Sequence, residues 1–124
     1  MGRLALVVDD SMLIRHTVCR FFEERGFDVH SASNGQEAWT MLQELSPDLI
    51  VTDLSMPKMT GNELITAIKA NPRFGTTPIV VLASRRTASD PQQMDTRADY
   101  IIHKDIGMED QMIHVLSSIF AIAS

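Results

Sequence analysis

Five short apolar runs, separated by longer amphipathic segments, constrain the fold of this chain more than any other feature. Two of the runs, within DLIVTD and PIVVLA, are nearly continuous in Val, Ile and Leu. Such runs are typical of strands that are covered on both faces of a parallel sheet. Strand and helix alternate five times, which predicts an α/β fold whose first, third and fourth strands are central. The predicted strands are Leu4 to Val8, Asp28 to Ala32, Leu49 to Thr52, Ile79 to Ala83 and Tyr100 to His103.

Capping and stop residues place the helices between these strands. A side chain that accepts a hydrogen bond at the start, and a glycine or proline beyond the end, mark most boundaries. The predicted helices run from Ser11 to Gly26, from Asn34 to a point before Pro47, from Asn62 through Ala70, and from about Met108 onward. The fourth helical segment, RRTASDPQQMDTRA, has almost no apolar face, so we expect a short or poorly ordered helix there.

Length and charge limit the classes of function. The 124 residues fit one domain, so we expect a single domain over residues 1–124. The net charge of -5 argues against a nucleic-acid surface and favours a small cation as the ligand. Cys19 has no second cysteine for a disulfide, and no apolar run reaches the roughly 18 residues of a membrane span. These features predict a cytoplasmic protein.

Three acidic residues stand at the ends of two predicted strands. Asp9 and Asp10 end the first strand, and Asp53 ends the third. In the common strand order 2-1-3-4-5 these strands are neighbours, and their carboxyl ends lie at the edge where α/β sheets bind ligands. Two carboxylates about 5 Å apart repel by roughly 3 kcal/mol at an effective dielectric of about 20, so three require raised pKa values or a cation. An all-oxygen site of this kind suits Mg²⁺ or Mn²⁺. Taken alone, the pair Asp9-Asp10 is equally compatible with two solvated acids that cap a helix.

Several longer motifs resemble one known family. LVVDDSMLIR, NGQEAW, SPDLIVTDLSMPKMTG and YIIHKD, in this order and spacing, are similar to the receiver domain of two-component response regulators, especially the single-domain, CheY-like kind. The resemblance covers essentially the whole chain and implies a doubly wound, flavodoxin-like (βα)5 fold with five parallel strands. It implies that Asp53 accepts a phosphoryl group from a histidine kinase or phosphotransfer protein. It also implies that Asp9, Asp10, Asp53 and the backbone carbonyl of Ser55 hold Mg²⁺.

The end of the predicted fifth strand departs from the family pattern. An alignment without gaps places Lys104 at the family's invariant lysine, which contacts the acceptor carboxylate. Counting from Tyr100 would place His103 there instead, and we prefer Lys104. The family usually has a proline next, joined by a cis peptide bond. Asp105 stands at that position, and without a proline we expect a trans bond.

The positions that the resemblance assigns to conformational switching also differ. Ala83 stands where the family has Thr or Ser, whose hydroxyl binds the phosphoryl group. Ser84 is adjacent, but neighbouring strand residues point to opposite faces, so it can substitute only through a bulge or at the very end of the strand. The family's aromatic switch residue maps to Ile101 if Lys104 is the invariant lysine, and to Tyr100 in the other register.

The sequence therefore supports competing functions. The first is a phosphoacceptor receiver, a regulatory domain that catalyses only its own phosphorylation and dephosphorylation. Its expected partners are a histidine kinase or phosphotransfer protein and a downstream protein. We expect no contact with nucleic acid or membrane, and we expect the domain to be a monomer or weak dimer. The alternative is an atypical receiver that acts as a phosphorylation-independent interaction module, because Ala83 and Asp105 depart from the pattern. A Mg²⁺-dependent phosphatase is disfavoured because Asp53-Leu54-Ser55 lacks the second acid of such enzymes.

Overall fold

The architecture is a five-stranded parallel sheet between two layers of helices. A computed structural model of the chain describes residues 2–90, 97–105 and 107–120. The elements in chain order are β1 Leu4–Val8, α1 Met12–Glu23, β2 Asp28–Ala32, α2 Gly35–Leu42, β3 Leu49–Asp53, α3 Gly61–Ala70, a 3₁₀ turn Pro72–Phe74, β4 Ile79–Ala83, α4 Arg85–Ala88, β5 Tyr100–His103 and α5 Met108–Phe120. The predicted strand bounds are confirmed, except that β3 extends one residue further, to Asp53.

The strands are parallel throughout and lie in the order β2-β1-β3-β4-β5. The predicted doubly wound fold is therefore confirmed, with β1, β3 and β4 in the centre. Every residue of β3 and β4 is buried, as the unbroken apolar runs predict. In contrast, β2 at one edge exposes three of its five residues, and β5 forms the other edge.

Two apolar cores lie on the two faces of the sheet because side chains alternate along each strand. In β1, Ala5 and Val7 face a core that includes Phe22 of α1 and Leu116 of α5. Leu6 and Val8 face the opposite core, with Leu42 of α2 and Ile65 of α3. The helices α1 and α5 therefore cover one face of the sheet, and α2 and α3 cover the other. The strand ends are left to carry polar groups.

The start of α3 differs from the sequence prediction. Thr60, and not Asn62, is the N-cap: the Thr60 hydroxyl accepts a hydrogen bond from the Glu63 N–H at 3.2 Å. The Glu63 carboxylate accepts one from the Thr60 N–H at 2.9 Å, which completes a capping box. Asn62 lies inside the first turn. The prediction was wrong because both residues are good caps, and only the glutamate three residues beyond Thr60 distinguishes them.

The segment after β4 begins with a helix of four residues, Arg85–Ala88. The rest of the predicted weak helix falls partly on residues 91–96, which lie outside the described part of the chain. The last helix begins at Met108 as predicted, and its buried residues Met112, Val115 and Leu116 pack on the sheet. Within the described ranges, no helix combines the length and apolar character needed to cross a bilayer.

Candidate functional site

The three carboxylates predicted to converge do so at the carboxyl edge of the sheet. Asp53 is the last residue of β3, and Asp9 directly follows β1, its neighbour in the sheet. Oxygen atoms of Asp9, Asp10 and Asp53 lie within 4.8 Å of one another. Asp9 and Asp53 are buried, whereas Asp10 is exposed, so the cluster opens to solvent on one side. Asp9 and Asp10 therefore belong to a common acidic site with Asp53.

Backbone contacts hold Asp9 in place. Its Oδ1 accepts a hydrogen bond from the Ser11 N–H at 2.8 Å, and its N–H donates to the Ala32 carbonyl at 3.1 Å. The guanidinium of Arg15 donates to the Asp9 carbonyl at 2.8 Å, a contact that sequence reasoning missed. The hydroxyl of Ser11 accepts from the Ile14 N–H and caps α1. Ser11, and not either aspartate, is thus the helix cap after β1.

Lys104 joins the two buried carboxylates. Its Nζ lies 2.8 Å from Asp9 Oδ2 and 3.2 Å from Asp53 Oδ1, and the lysine side chain is 13% exposed. Within the described residues, this ammonium is the partner of the fully buried Asp9 Oδ2, which accepts no other hydrogen bond there. Burial alone would lower the pKa of Lys104, but Asp9 and Asp53 outweigh it and hold that pKa above its ordinary value. Lys104 therefore carries its positive charge into the site.

Asp53 has a raised pKa. Burial and then the negative charge of Asp9 raise its pKa to about 6, against the opposing effects of Lys104 and of a hydrogen bond from the Ser55 backbone. Its Oδ1 also accepts a hydrogen bond from the Leu54 N–H at 2.9 Å. At neutral pH the carboxylate is ionised, but at a cost in free energy that a nearby cation would reduce.

The loop after Asp53 approaches the backbone of Asp53 closely. The Gly61 N–H donates to the Leu54 carbonyl at 2.9 Å, and a Cβ at Gly61 would clash with the Asp53 carbonyl oxygen. Lys58 adopts a φ of 67°, in the left-handed region that most residues avoid. Ser55 is exposed at the start of this loop.

The remaining predicted positions surround the site without entering the carboxylate cluster. Ala83 is fully buried and pairs with His103 in an unbroken register between β4 and β5, so the bulge that would bring Ser84 onto its face is not formed. Ser84 instead follows the last strand residue, and its carbonyl accepts the Ala88 N–H. His103 is exposed, whereas Lys104 faces the carboxylates. Ile101 is 39% exposed on the edge strand. The described residues contain no cis peptide bond, as expected without a proline after Lys104.

The donor set fits a hard divalent cation. Three carboxylates at one buried edge supply the oxygen ligands that Mg²⁺ prefers, and Asp10 remains open to water, which Mg²⁺ usually retains. The buried Asp9 Oδ2 has the Lys104 ammonium as its partner among the described residues, and a carboxylate oxygen can accept a further contact from a cation. The described residues contain no other cluster of this kind.

Comparisons with known proteins agree with this arrangement. The family model described as response regulator receiver domain matches residues 5–116. The gliding motility regulatory protein of Myxococcus xanthus is 34% identical over 106 residues, which are 84% of this chain and 14% of that protein. The response regulator Rre1 of Synechocystis is 35% identical over 101 residues, 80% of this chain and 44% of that protein. The chain thus spans less than half the length of these two relatives.

Solved structures show the same fold. The chemotaxis response regulator CheY4 of Vibrio cholerae superposes with a TM-score of 0.83 at 28% identity, over 97% of this chain and 100% of that one. The receiver domain of the sensor histidine kinase PA1611 from Pseudomonas aeruginosa, solved with a magnesium ion coordinated in its active site cleft, has a TM-score of 0.87 over 98% of this chain and 100% of that one. At 17% identity, the latter supports the fold alone. From its acidic site, its topology and the family match, the chain belongs to the response regulator receiver domains of two-component systems.

Proposed function

We propose that this domain accepts a phosphoryl group on Asp53 and signals through contacts with other proteins. The observation that carries the proposal is the geometry around Asp53, a buried carboxylate that shares the Lys104 ammonium with Asp9. An ion pair between Asp53 and Lys104 with a purely structural role would not require Asp9 and Asp10 as well, yet oxygens of all three carboxylates lie within 4.8 Å of one another. An acceptor of a phosphoryl group, in contrast, requires both a nucleophilic carboxylate and a positive charge to offset the negative charge on the phosphoryl oxygens.

Mg²⁺ is the cofactor that we assign to the site. Asp9, Asp10, Asp53 and the backbone carbonyl of Ser55 would hold it. When bound, the ion supplies positive charge that offsets the carboxylates and the oxygens of the incoming phosphoryl group. The exposed position of Asp10 and Ser55 supports this assignment, because the ion and its waters require an open side.

The residues of the chain would perform the transfer as follows. Asp53, whose pKa is raised to about 6, is ionised at neutral pH. Its carboxylate forms an O–P bond while the bond between phosphorus and the donor's leaving group breaks. We assign the attack to Oδ2, because Oδ1 already accepts the Leu54 N–H and contacts Lys104. The Lys104 ammonium would then lie beside the new phosphoryl oxygens and stabilise their charge.

The expected partners follow from this chemistry. The phosphodonor would be a histidine kinase or a phosphotransfer protein, and the output a contact with a downstream protein in the cytoplasm. Residues 1–124 would act as one receiver domain, as a monomer or weak dimer. The net charge of -5 supports a protein partner over direct nucleic-acid binding.

The departures at the switch positions change how the signal would spread. Ala83 provides no hydroxyl to follow the phosphoryl group, and Ile101 provides no aromatic ring. We propose that the response relies on Lys104 and the loop after Asp53. The phosphorylation-independent alternative is not favoured, because the acidic residues and Lys104 are held together in the site.

An intact-mass experiment tests the proposal. Incubation with Mg²⁺ and acetyl phosphate should add about 80 Da, the mass of one phosphoryl group, and Asp53→Asn should abolish the adduct. Asp28→Asn, the same substitution at an exposed residue of β2, should still be labelled. An adduct that persists in Asp53→Asn, or a wild-type chain that is never labelled, would refute phosphorylation at this residue.

A further inference from the structure

The Lys104 ammonium must be held in place by the short segment that connects β5 to α5. The Lys104 N–H donates to the Ala83 carbonyl at 2.9 Å, which ties its backbone to β4. Successive strand residues direct their backbone groups to opposite sides. The N–H and carbonyl of His103 therefore point toward the free edge of the sheet, where the described residues form no further strand beside β5.

The side chain of Gln111 occupies this free edge. Its Oε1 accepts a hydrogen bond from the His103 N–H at 2.9 Å, and its Nε2 donates to the His103 carbonyl at 3.3 Å. The carboxamide thus pairs with His103 as a neighbouring peptide group would in a sheet. Gln111 is itself fixed, because it lies in α5 and its N–H donates to the Gly107 carbonyl at 3.0 Å.

The same amide also reaches the residue on the other side of Lys104. Gln111 Nε2 lies 3.3 Å from Asp105 Oδ1, which accepts the Gly107 N–H at 2.9 Å as well. The Asp105 carbonyl accepts the Met108 N–H at 3.1 Å, at the start of α5. One side chain on α5 therefore holds both residues that flank Lys104 in the sequence.

We propose that Gln111 is a positioning residue that directs the Lys104 ammonium at Asp53. The inference deepens the proposed function and rests on it for its consequence in phosphorylation. Gln111 touches neither the carboxylates nor the phosphoryl site, and acts through the backbone of His103 and Asp105. Without it, the edge of β5 and the following turn lose three hydrogen bonds, and the ammonium is no longer held against both carboxylates.

The first test observes Lys104 directly and does not depend on phosphorylation. The ammonium ¹H–¹⁵N signal of Lys104, assigned by its loss in Lys104→Met, should be protected from exchange with water in the wild-type chain. Gln111→Ala should broaden or abolish this signal while the backbone amide spectrum of the sheet is retained. Gln43→Ala, which removes a single hydrogen bond from Gln43 Nε2 to the Trp39 carbonyl on α2, should leave the signal unchanged. An unaltered ammonium signal in Gln111→Ala would overturn the proposal.

The second test is a double-mutant cycle on the initial rate of phosphorylation by acetyl phosphate with Mg²⁺. Gln111→Ala should lower the rate roughly 10-fold, the usual effect of losing a group that orients a catalytic side chain. In the Lys104→Met background the same substitution should have no further effect, because Gln111 acts through Lys104. An equal loss in both backgrounds would indicate a general structural role and refute positioning. If the wild-type chain is not phosphorylated, the proposed function fails, while the ammonium signal still decides the role of Gln111.

Exchanging the amide and the carboxylate between residues 111 and 105 distinguishes the loss of this contact from simple misfolding. Gln111→Glu keeps an acceptor for the His103 N–H but places a carboxylate against Asp105. It should therefore also weaken the ammonium signal and the rate. Adding Asp105→Asn supplies a donor to the new carboxylate and an acceptor for the Gly107 N–H. It should therefore restore both readouts in part, because glutamate cannot donate to the His103 carbonyl as Gln111 Nε2 does. A pair that shows no recovery relative to Gln111→Glu would contradict the proposed contact.

Discussion

The cost of ionising Asp53 predicts that Asp53→Asn stabilises the Mg²⁺-free domain at neutral pH. The pKa of Asp53 is raised from 3.8 to about 6 because burial and the charge of Asp9 disfavour its anion. Each pKa unit corresponds to about 1.4 kcal/mol, so a shift of about two units places roughly 3 kcal/mol of destabilisation on the ionised form. Asparagine retains an acceptor for the Leu54 N–H and carries no charge, so it avoids this cost.

The pH dependence follows from the direction of the shift. In the unfolded chain the carboxyl loses its proton near 3.8, whereas in the folded domain it keeps the proton up to about 6. Below the lower value both states are protonated and the penalty is absent. Between these values the unfolded state alone is ionised, so the stability of the wild-type chain falls as the pH rises. Above about 6 the loss is complete and stays constant.

Urea unfolding of both proteins, followed by the fluorescence of Trp39, provides the assay. The variant and the wild-type chain should differ little at pH 4, and the variant should be more stable by roughly 3 kcal/mol at pH 7.5. Saturating Mg²⁺ should reduce the difference, because an ion that binds the folded wild-type site stabilises it. Asp28→Asn, the same substitution at an exposed residue of β2, is the matched control and should not reproduce the gain in stability at pH 7.5. A variant that is no more stable at pH 7.5, or whose advantage is the same at pH 4, would refute the reasoning.

Three further predictions concern residues that position the site or its supporting helices. Gly61→Ala should lower the free energy of unfolding by roughly 1–3 kcal/mol, because its Cβ would clash with the Asp53 carbonyl. It should also slow phosphorylation by acetyl phosphate. An unchanged urea midpoint would contradict the clash, because it would mean that the loop accommodates the Cβ without cost. Thr60→Ala should lower the free energy of unfolding by about 1 kcal/mol, because it removes the capping box. This loss should exceed that of Asn62→Ala. A larger loss in Asn62→Ala would indicate that Asn62 is the cap. Arg73→Ala should lower the free energy of unfolding in urea by roughly 1–2 kcal/mol, because its guanidinium donates at 2.8 Å to the carbonyls of Leu42, the last residue of α2, and of Leu45. Full rescue by Arg73→Lys would contradict a role for the planar guanidinium.

The strands and the carboxylates were accessible from sequence because each is a local signal. A run such as IVVLA is too apolar for any position except the centre of a parallel sheet, and its ends are marked by polar residues. Asp9 directly follows such a run and Asp53 follows a second run after one intervening residue, so their meeting at one edge requires only the common strand order. The predicted strand bounds, apart from the last residue of β3, and the predicted acidic cluster therefore agree with the structure.

The start of α3 shows where a local signal was insufficient. Thr60 and Asn62 both accept hydrogen bonds well, and the two candidate caps differ by two residues. The reciprocal pair with Glu63 selects Thr60, and it also brings Gly61 against the Asp53 carbonyl. The sequence contains the capping-box pattern, because Glu63 stands three residues after Thr60, and this glutamate decides between the two candidate caps.

By itself, the sequence determined the strand pattern, the fold class and the three carboxylates at the strand ends, since these depend on hydrophobicity and chain order. Only the tertiary structure decided that the ammonium of Lys104 lies between Asp9 and Asp53 while His103 is exposed. It also brought Gln111 to the free edge of β5, for which no motif exists. The physical reason is that such contacts join backbone and side-chain groups of separate elements, and their distances are set by how the helices pack on the sheet.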